Sequence, residues 1–493
     1  YLYIRQLYFH KWYNSPIWGT FIMMTKTDSK QHEIVAVLLE DLVPQDHILR
    51  KIDHVLDLRF VYDYVEHLYS RTGRPSIDPV VLIKLAFIDK LFGYHSMRRT
   101  LQEAQVNVAI RWYLGYGIEE KLPHFSDFSK TYTRKFSQRI DIKNKQGKIV
   151  RQDTIFAVIF DQVLQIAMDK NYLQPQHVYM DSTHIKAHAN KKKVSRHVVQ
   201  EERKEYQDQL DEEIDRACAI HGYNQPKPMV LKEKQVRYSE RDKECGVFQK
   251  GEHETQLAYL AQTACDIHGF VLEVDIDAAN KHDSSTFRKT YEKVVNKYGV
   301  AKEKGIRSIG LDAGYKTPAI AKQILEDGIT PLLPYTRPKG KKYNEEAATK
   351  MGKREFTYDK VSDVFICPNK EVLTPRGIQR STGYVLYRSE IKNCRKCPMK
   401  EKCLSKSSKT KSVVRHLWQW ALEEVELIRH TSYHKQYYPM RSKTIERVFA
   451  DAKEKHGMRF TRVKGKQKVL DETRIIFSMM NIKKIAQWAC KSI

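Results

Sequence analysis

The sequence predicts an α/β protein, a mixed sheet flanked by helices, with an all-helical N-terminal region ahead of it. Three observations lead there. Apolar residues recur at helical spacing in the N-terminal part, at Ile34, Val37, Leu38 and Leu42 and again at Val80, Leu82, Ile83, Leu85, Ala86 and Leu91. Alternating, strand-like stretches at 255–267 and 270–278 meet at a His268-Gly269 turn. Two short apolar runs, Val178-Tyr-Met180 and Ile309-Gly-Leu311, each end in an aspartate, the arrangement of strands that deliver side chains to the ligand-binding edge of an open sheet.

The elements follow in order. Asp78-Pro79 marks a helix start, with Asp78 as N-cap and Pro79 in the first helical position. Ser96 reads as the cap of a second helix, and Ser126 opens a third. A helix over 154–170 leads into a strand ending at Asp181. Residues 190–250 are highly charged and poor in large apolar residues, and read as an inserted helical arm or a partly mobile excursion. The hairpin, a helix over 284–298 and a strand over 306–311 come next, as a mixed sheet with flanking helices requires. Residues 1–27 are expected to form a poorly organised tail. Its first 22 residues are rich in Tyr, Trp and Phe without periodicity, and the native start is expected at Met23 or Met24.

At 493 residues the chain holds two or three domains, and 41% hydrophobic with 30% charged residues excludes a disordered protein. The net charge is +26, from 86 Lys plus Arg against 60 Asp plus Glu. Such an excess favours a polyanionic partner, because neutralising phosphates releases condensed counterions. The alternative is a generally basic soluble protein. No apolar run approaches the ~20 residues that span a membrane, and no secretory signal is evident. Of eight cysteines, Cys367, Cys394, Cys397 and Cys403 fall in one segment. A reducing, cytoplasmic setting then points to metal or free thiols and not to disulfides.

Three acids carry the chemistry. Asp181 and Asp312 follow strand-like runs, and adjacent parallel strands would set them side by side. Glu446 sits in a helical pattern whose buried face is Ile445, Val448, Phe449 and Ala452. Converging carboxylates repel unless a cation lies between them, and all-oxygen ligation suits Mg²⁺ or Mn²⁺. Two such ions serve in-line phosphoryl transfer. Taken singly, each acid is more often an ordinary salt-bridge partner. Lys453, two turns beyond Glu446, and Arg447 are placed to meet phosphate. Arg459, Arg462 and Lys464 form a basic tract for a DNA backbone, with a solvated loop as the alternative. Arg98 and Arg99, on short N-terminal helices, are compatible with a helix-turn-helix-like module or with plain surface. The cysteine segment, with its Cys394-x-x-Cys397 pair, suits a tetrahedral structural Zn²⁺, or else free structural thiols. Trp418 and Trp420 end that segment and either stack on a base or pack a helix.

These motifs resemble those of bacterial insertion-sequence transposases of the DDE class, nearest the insertion-sequence 1182 group, over about residues 28–493. The segments Leu39–His47, Ser96–Arg99, Asn107–Trp112 and Pro123–Ser126 are similar to the helical N-terminal part of such proteins. Asp181-Ser-Thr-His-Ile-Lys186 resembles the motif around their first catalytic Asp. Ala279–Ser284 and Asp312-Ala-Gly-Tyr315 resemble the approach to, and the motif of, the second. Ile445–Phe449 with Lys453, then His456-Gly-Met-Arg459, resembles the block around the final Glu. One spacing departs: four residues, not three, separate Arg441 from Glu446 in the related Tyr-Arg-Glu-Lys signature, which leaves the roles of Tyr438 and Arg441 open.

The resemblance implies a ribonuclease-H-like core over 150–335 and 430–493 with the charged insertion at 190–250. It further implies a helical DNA-binding domain over 28–145 and a cysteine-bearing insertion domain over 336–429. The about 130 residues between Asp312 and Glu446 exceed what a minimal core of that kind needs. It implies catalysis by Asp181, Asp312 and Glu446 with two Mg²⁺, for which Mn²⁺ substitutes. The DNA contacts would come from Lys453, Arg447, Arg441, Arg459, Arg462, Lys464, Arg98 and Arg99. The partner would be double-stranded DNA, both transposon ends and target, and the form on DNA a homodimer. The alternative is a catalytically silent, zinc-containing DNA-binding protein derived from such an enzyme.

Overall fold

A computed structural model describes residues 36–70, 72, 76–143, 148–190, 193–200, 205–223, 225–228, 230–231, 233–250, 254–300, 305–336 and 350–489. The tail expected over 1–27 lies outside them. Six helices open the described chain: α1 (Ile48–Val55), α2 (Phe60–Val65), α3 (Pro79–Phe92), α4 (Met97–Val106), α5 (Val108–Leu114) and α6 (Phe125–Thr131). Local chemistry explains their limits. Asp78 Oδ1 accepts the Val80 N–H at 2.7 Å, Pro79 occupies the first turn, and Gly93 ends α3 at φ 64°. Ser96 caps α4, while α6 is capped by His124 and so starts one residue ahead of Ser126.

A hairpin, β1 (Ile140–Lys143) and β2 (Ile149–Asp153), leads to α7 (Ile155–Asp169) and the first core strand β3 (His177–Lys186). Then come β4 (Val194–Gln200), α8 (Gln207–His221), β5 (Glu233–Ser239), β6 (Gly246–Lys250), β7 (Glu254–Cys265), β8 (Val271–Ala278), α9 (Asp283–Tyr298), β9 (Ser308–Gly310), α10 (Pro318–Glu326) and β10 (Thr330–Leu332). The main sheet runs β10-β9-β3-β7-β6, with β8 also on β7; β10, β9 and β3 are parallel, and β7 is antiparallel to β3. The fold is therefore mixed α/β with a helical N-terminal region.

The charged stretch differs from the helical arm expected over 190–250. It holds α8, but β4 and β5 pair along their whole length, from Val194↔Ser239 to Gln200↔Glu233, and β6 joins the main sheet. Nor does α8 stand free. Leu210, Ile214 and Cys218 recur every four residues and bury one apolar stripe in a second core. That core belongs to a five-stranded antiparallel sheet of β11 (Thr357–Asp359), β12 (Val364–Ile366), β13 (Val372–Gln379), β14 (Tyr384–Ser389) and β15 (Ser412–His416). Two short helices, α11 (Ile391–Arg395) and α12 (Lys400–Cys403), lie between β14 and β15. Trp418 is buried there and donates its indole N–H to Glu213 of α8 at 2.6 Å, while Trp420 is exposed.

The chain then forms α13 (Gln419–Arg429), α14 (Ser432–Tyr437), α15 (Met440–Lys443), α16 (Ile445–Glu454) and α17 (Lys466–Ala489). The last is buried almost all round, packing on α7, β8, α1 and α3. It ties the N-terminal helices and the main sheet into one apolar core. Several of its polar residues are paired: Asp471 Oδ1 accepts from the Thr154 hydroxyl at 2.6 Å, and Arg474 holds Asp153 with two bonds of 2.7 and 2.9 Å, whereas Asp471 Oδ2 and Ser478 Oγ have no partner among the described residues.

Truncating Ile214 to Ala tests the docking of α8 on the second core. It should cost about 2–5 kcal/mol, read as a lower calorimetric transition and faster proteolysis near β4–β5. An unaltered transition would show that the arm is not held there.

Candidate active site

The pairing of β3 with β9 sets the first two acids. Tyr179 is opposite Gly310 in a parallel register, so Asp181 and Asp312, each two residues further on, emerge together at one edge. Asp181 does not end its strand, as the sequence suggested: β3 continues to Lys186 because β7 pairs with it from Tyr179 to Lys186. Gly310 is required by contact, since a Cβ there would lie 2.6 Å from the Tyr179 ring. That ring cannot retreat, being fully buried with its hydroxyl donating to the Tyr437 carbonyl at 2.8 Å.

Asp312 caps a one-turn 3₁₀ helix, Ala313–Tyr315, its Oδ1 accepting the Ala313 N–H at 2.6 Å. Tyr315 anchors this turn: its buried hydroxyl donates to Gln262 at 2.9 Å, and Gln262 lies opposite Ser182 on β7. A further carboxylate joins the cluster. Asp283, at the start of α9, accepts the Ser182 hydroxyl at 2.6 Å.

Glu446 is in the first turn of α16, exposed, while Ile445, Val448, Phe449 and Ala452 are buried. Between the acids lies a cation. Arg441 donates one guanidinium nitrogen to Asp181 at 2.5 Å and the other to Glu446 at 2.6 Å, and its Nε has no partner. Burial pushes the Asp181 carboxyl up to about 6, against the pull of Arg441 and the Ser182 N–H, with Asp312 and Asp283 adding to the rise. Burial disfavours the charge on Arg441, but Asp181, Asp312 and Glu446 outweigh it and raise its pKa above the ordinary value. Asp181, Asp312, Glu446 and Arg441 thus share one electrostatic site.

The other sequence-derived residues are distributed around it. Lys453 is half-buried two turns along α16. Arg447 is exposed and lines a separate cleft with α17. Arg459 pairs with Glu454, and its loop is stitched to the end of β3 by Lys186 N–H to Arg459 O at 3.1 Å and Thr461 N–H to Lys186 O at 2.9 Å. Arg462 and Lys464 are exposed in that same loop. Arg98 lies over the Phe125 ring at 4.5 Å, and Arg99 pairs with Glu103 at 3.8 Å.

Cys367, Cys394, Cys397 and Cys403 line one small cavity of about 30 Å³ beside Phe356 and Leu373. Burial raises the Cys403 pKa, Lys411 opposes this, and the other three thiols add to the rise. Still, among the described residues no three His, Cys, Asp or Glu are spaced to hold a metal ion. Asp283 and the bridging role of Arg441 were not read from the sequence. The Ala279–Ser284 segment was noticed, but its acid was not.

Residues 37–134 match the family model described as "Transposase domain (DUF772)", and residues 366–486 match the one described as "Transposase DDE domain". The two matches support a DDE transposase. The first covers the N-terminal helices with Arg98 and Arg99; the second covers the cysteine segment, Arg441, Glu446 and most of α17. Asp181 and Asp312 lie outside both. No curated protein matches the chain. No helix among the described residues is long and apolar enough to cross a membrane.

Gly310→Ala should force β9 away from Tyr179, at about 1–3 kcal/mol for overpacking, and move Asp312 off the shared edge. The check is a thermal melt alongside a crystal structure of the variant. A melt and a β3–β9 register identical to the parent would refute the contact argument.

Proposed function

We propose that this chain is a transposase of the insertion-sequence 1182 group with a ribonuclease-H-like core. It binds the terminal inverted repeats of its element, hydrolyses the 3′ ends, and joins them to target DNA. The observation that carries this reading is the Arg441 guanidinium seated between Asp181 and Glu446, with Asp312 acting on Asp181 and on Arg441. Converging carboxylates, of which Asp181 is largely buried, need a cation, and Arg441 is the stand-in for one.

The chemistry of the donor set suits two Mg²⁺, with Mn²⁺ able to substitute: carboxylate oxygens only, delivered by β3, by the turn after β9 and by α16, which would have to close on the ions in place of Arg441. Bound there, the ions would activate a water or 3′-hydroxyl and stabilise the leaving oxygen of an in-line displacement. The chain's own groups prepare that chemistry. Tyr315 and Gln262 fix the Asp312 turn against the sheet, and Ser182 orients Asp283 beside Asp181. Arg441 must exchange its carboxylates for another partner, and a DNA phosphate is the natural one, since the guanidinium fork fits both. Lys453, Arg459, Arg462 and Lys464 would neutralise backbone near the reacting phosphate, and Arg98 and Arg99 would do so from the N-terminal helices. A homodimer on paired ends, acting in the bacterial cytoplasm, completes the reading.

The four cysteines would hold one structural Zn²⁺. The cavity has room for a single ion, but Zn–S bonds of about 2.3 Å require the thiols to draw closer than they stand.

Asp312→Asn should lower Mg²⁺-dependent cleavage of transposon-end DNA on the order of 10²-fold or more, the scale of losing a group that stabilises transition-state charge; undiminished cleavage would sink the catalytic assignment. Arg441→Ala should bind Mn²⁺ several-fold more tightly than the parent when no DNA is present, measured by calorimetric titration. Equal or weaker binding would mean that Arg441 does not compete for the site. Elemental analysis of the purified protein should find one zinc per chain, absent from Cys397→Ser; a zinc-free parent of full stability would remove the metal from the account.

A further inference from the structure

The cleft that takes Arg447 away from the carboxylates has no role so far. It measures about 400 Å³ and lies between α16, the start of α17's last turns and the β7–β8 turn. Five cations line it, Lys443, Arg447, Lys455, Lys483 and Lys484, against the one carboxylate of Asp451. Asp451 is engaged by Lys455 at 2.6 Å. Lys443, Arg447 and Lys483 make no ion pair or hydrogen bond to another described residue.

Two of the cations are held in place, Lys455 by Asp451 and Lys484 by the β7–β8 turn. Gly269, at φ 72°, brings the β7–β8 turn so close that a Cβ would lie 3.2 Å from Lys484 Nζ and 3.3 Å from Val448. Lys484 donates to the His268 carbonyl at 2.6 Å. The neighbouring histidines register the charge, although Asp451 opposes it at His456 and Asp266 partly offsets Lys484. Burial and then Lys484 lower the His268 pKa, and Lys483 and Lys455 help burial to lower that of His456. Gathering like charges in a concave site is unfavourable unless an anion enters it.

The shape of α16 relates this cleft to the acids. Glu446 and Arg447 are consecutive, so they point about 100° apart on a helix roughly 10–12 Å across. One side faces Arg441 and Asp181; the other carries Arg447, Asp451 and Lys455 in a four-residue stripe. From Arg447 to Lys455 the stripe runs about 12 Å, the span of three to four phosphates on one strand of B-DNA.

We propose that this cleft docks the phosphate backbone of a DNA duplex beside the bond presented to the carboxylates, so that α16 divides the reacting phosphate from its duplex flank. The inference rests on the transposase reading and adds to it a second, charge-only contact surface. Its lysines and arginine read charge and not base edges, so it serves any sequence alike.

The test is fluorescence anisotropy of a 30-base-pair duplex over a KCl series, with the parent and the double variant Arg447→Gln/Lys483→Gln. The variant should melt like the parent, because both side chains are unpaired. Its plot of log K against log salt should be shallower by about 1.8, two lost contacts at ~0.9 each, with the same loss on unrelated sequences. A slope equal to the parent's would overturn the cleft while leaving the transposase reading intact. A parent that binds no duplex at any salt would overturn both.

Discussion

The parallel pairing of β3 with β9 is the constraint from which the site follows. With Tyr179 opposite Gly310, two strands far apart in sequence release Asp181 and Asp312 at the same edge. Like charges brought together in a partly dry place must be offset, and the chain offsets them with Arg441. Burial is the main reason the Asp181 carboxyl is raised, costing more than the arginine returns, and the neighbouring Asp312 and Asp283 add to it. The acids of this site are held against a cation, Arg441, whose guanidinium also fits a phosphate.

Around this edge the architecture separates stability from chemistry. One core, organised by the nearly all-round burial of α17, joins the N-terminal helices to the main sheet. A second core joins the five-stranded sheet to α8, a helix that comes from the charged stretch before β7. The five-stranded sheet is thereby fastened at a point distant in sequence, through Ile214 and the Trp418–Glu213 bond. Arg474 and Asp153 are paired where α17 is buried, so that ion pair serves packing. The unpaired cations lie on the outer side of α16, where a polyanion has access.

Much of the fold was legible in local pattern. The Asp78-Pro79 start, the His268-Gly269 turn and the buried face of α16 are each set by a few neighbouring residues and their periodicity. The charged stretch was not legible as strands, because β4 and β5 are stabilised by pairing with each other across an intervening helix. The extent of β3 past Asp181 likewise depends on β7. Among site residues, the three acids announced themselves by context and by resemblance. Asp283 and Tyr315 did not, since what gives them a role is a hydroxyl or amide from another strand.

The sequence alone determined the alternation of helix and strand, the basic balance, the cysteine segment and the three acids with their flanking motifs, because these depend on short-range spacing and composition. Tertiary structure alone decided that Arg441 stands between Asp181 and Glu446, that α8 belongs to the core of the five-stranded sheet, and that Arg447 turns away from Glu446 into a cleft with Lys483. Each of those depends on which distant surfaces meet. A contact between residues 260 positions apart, as for Asp181 and Arg441, leaves no periodic trace in the chain.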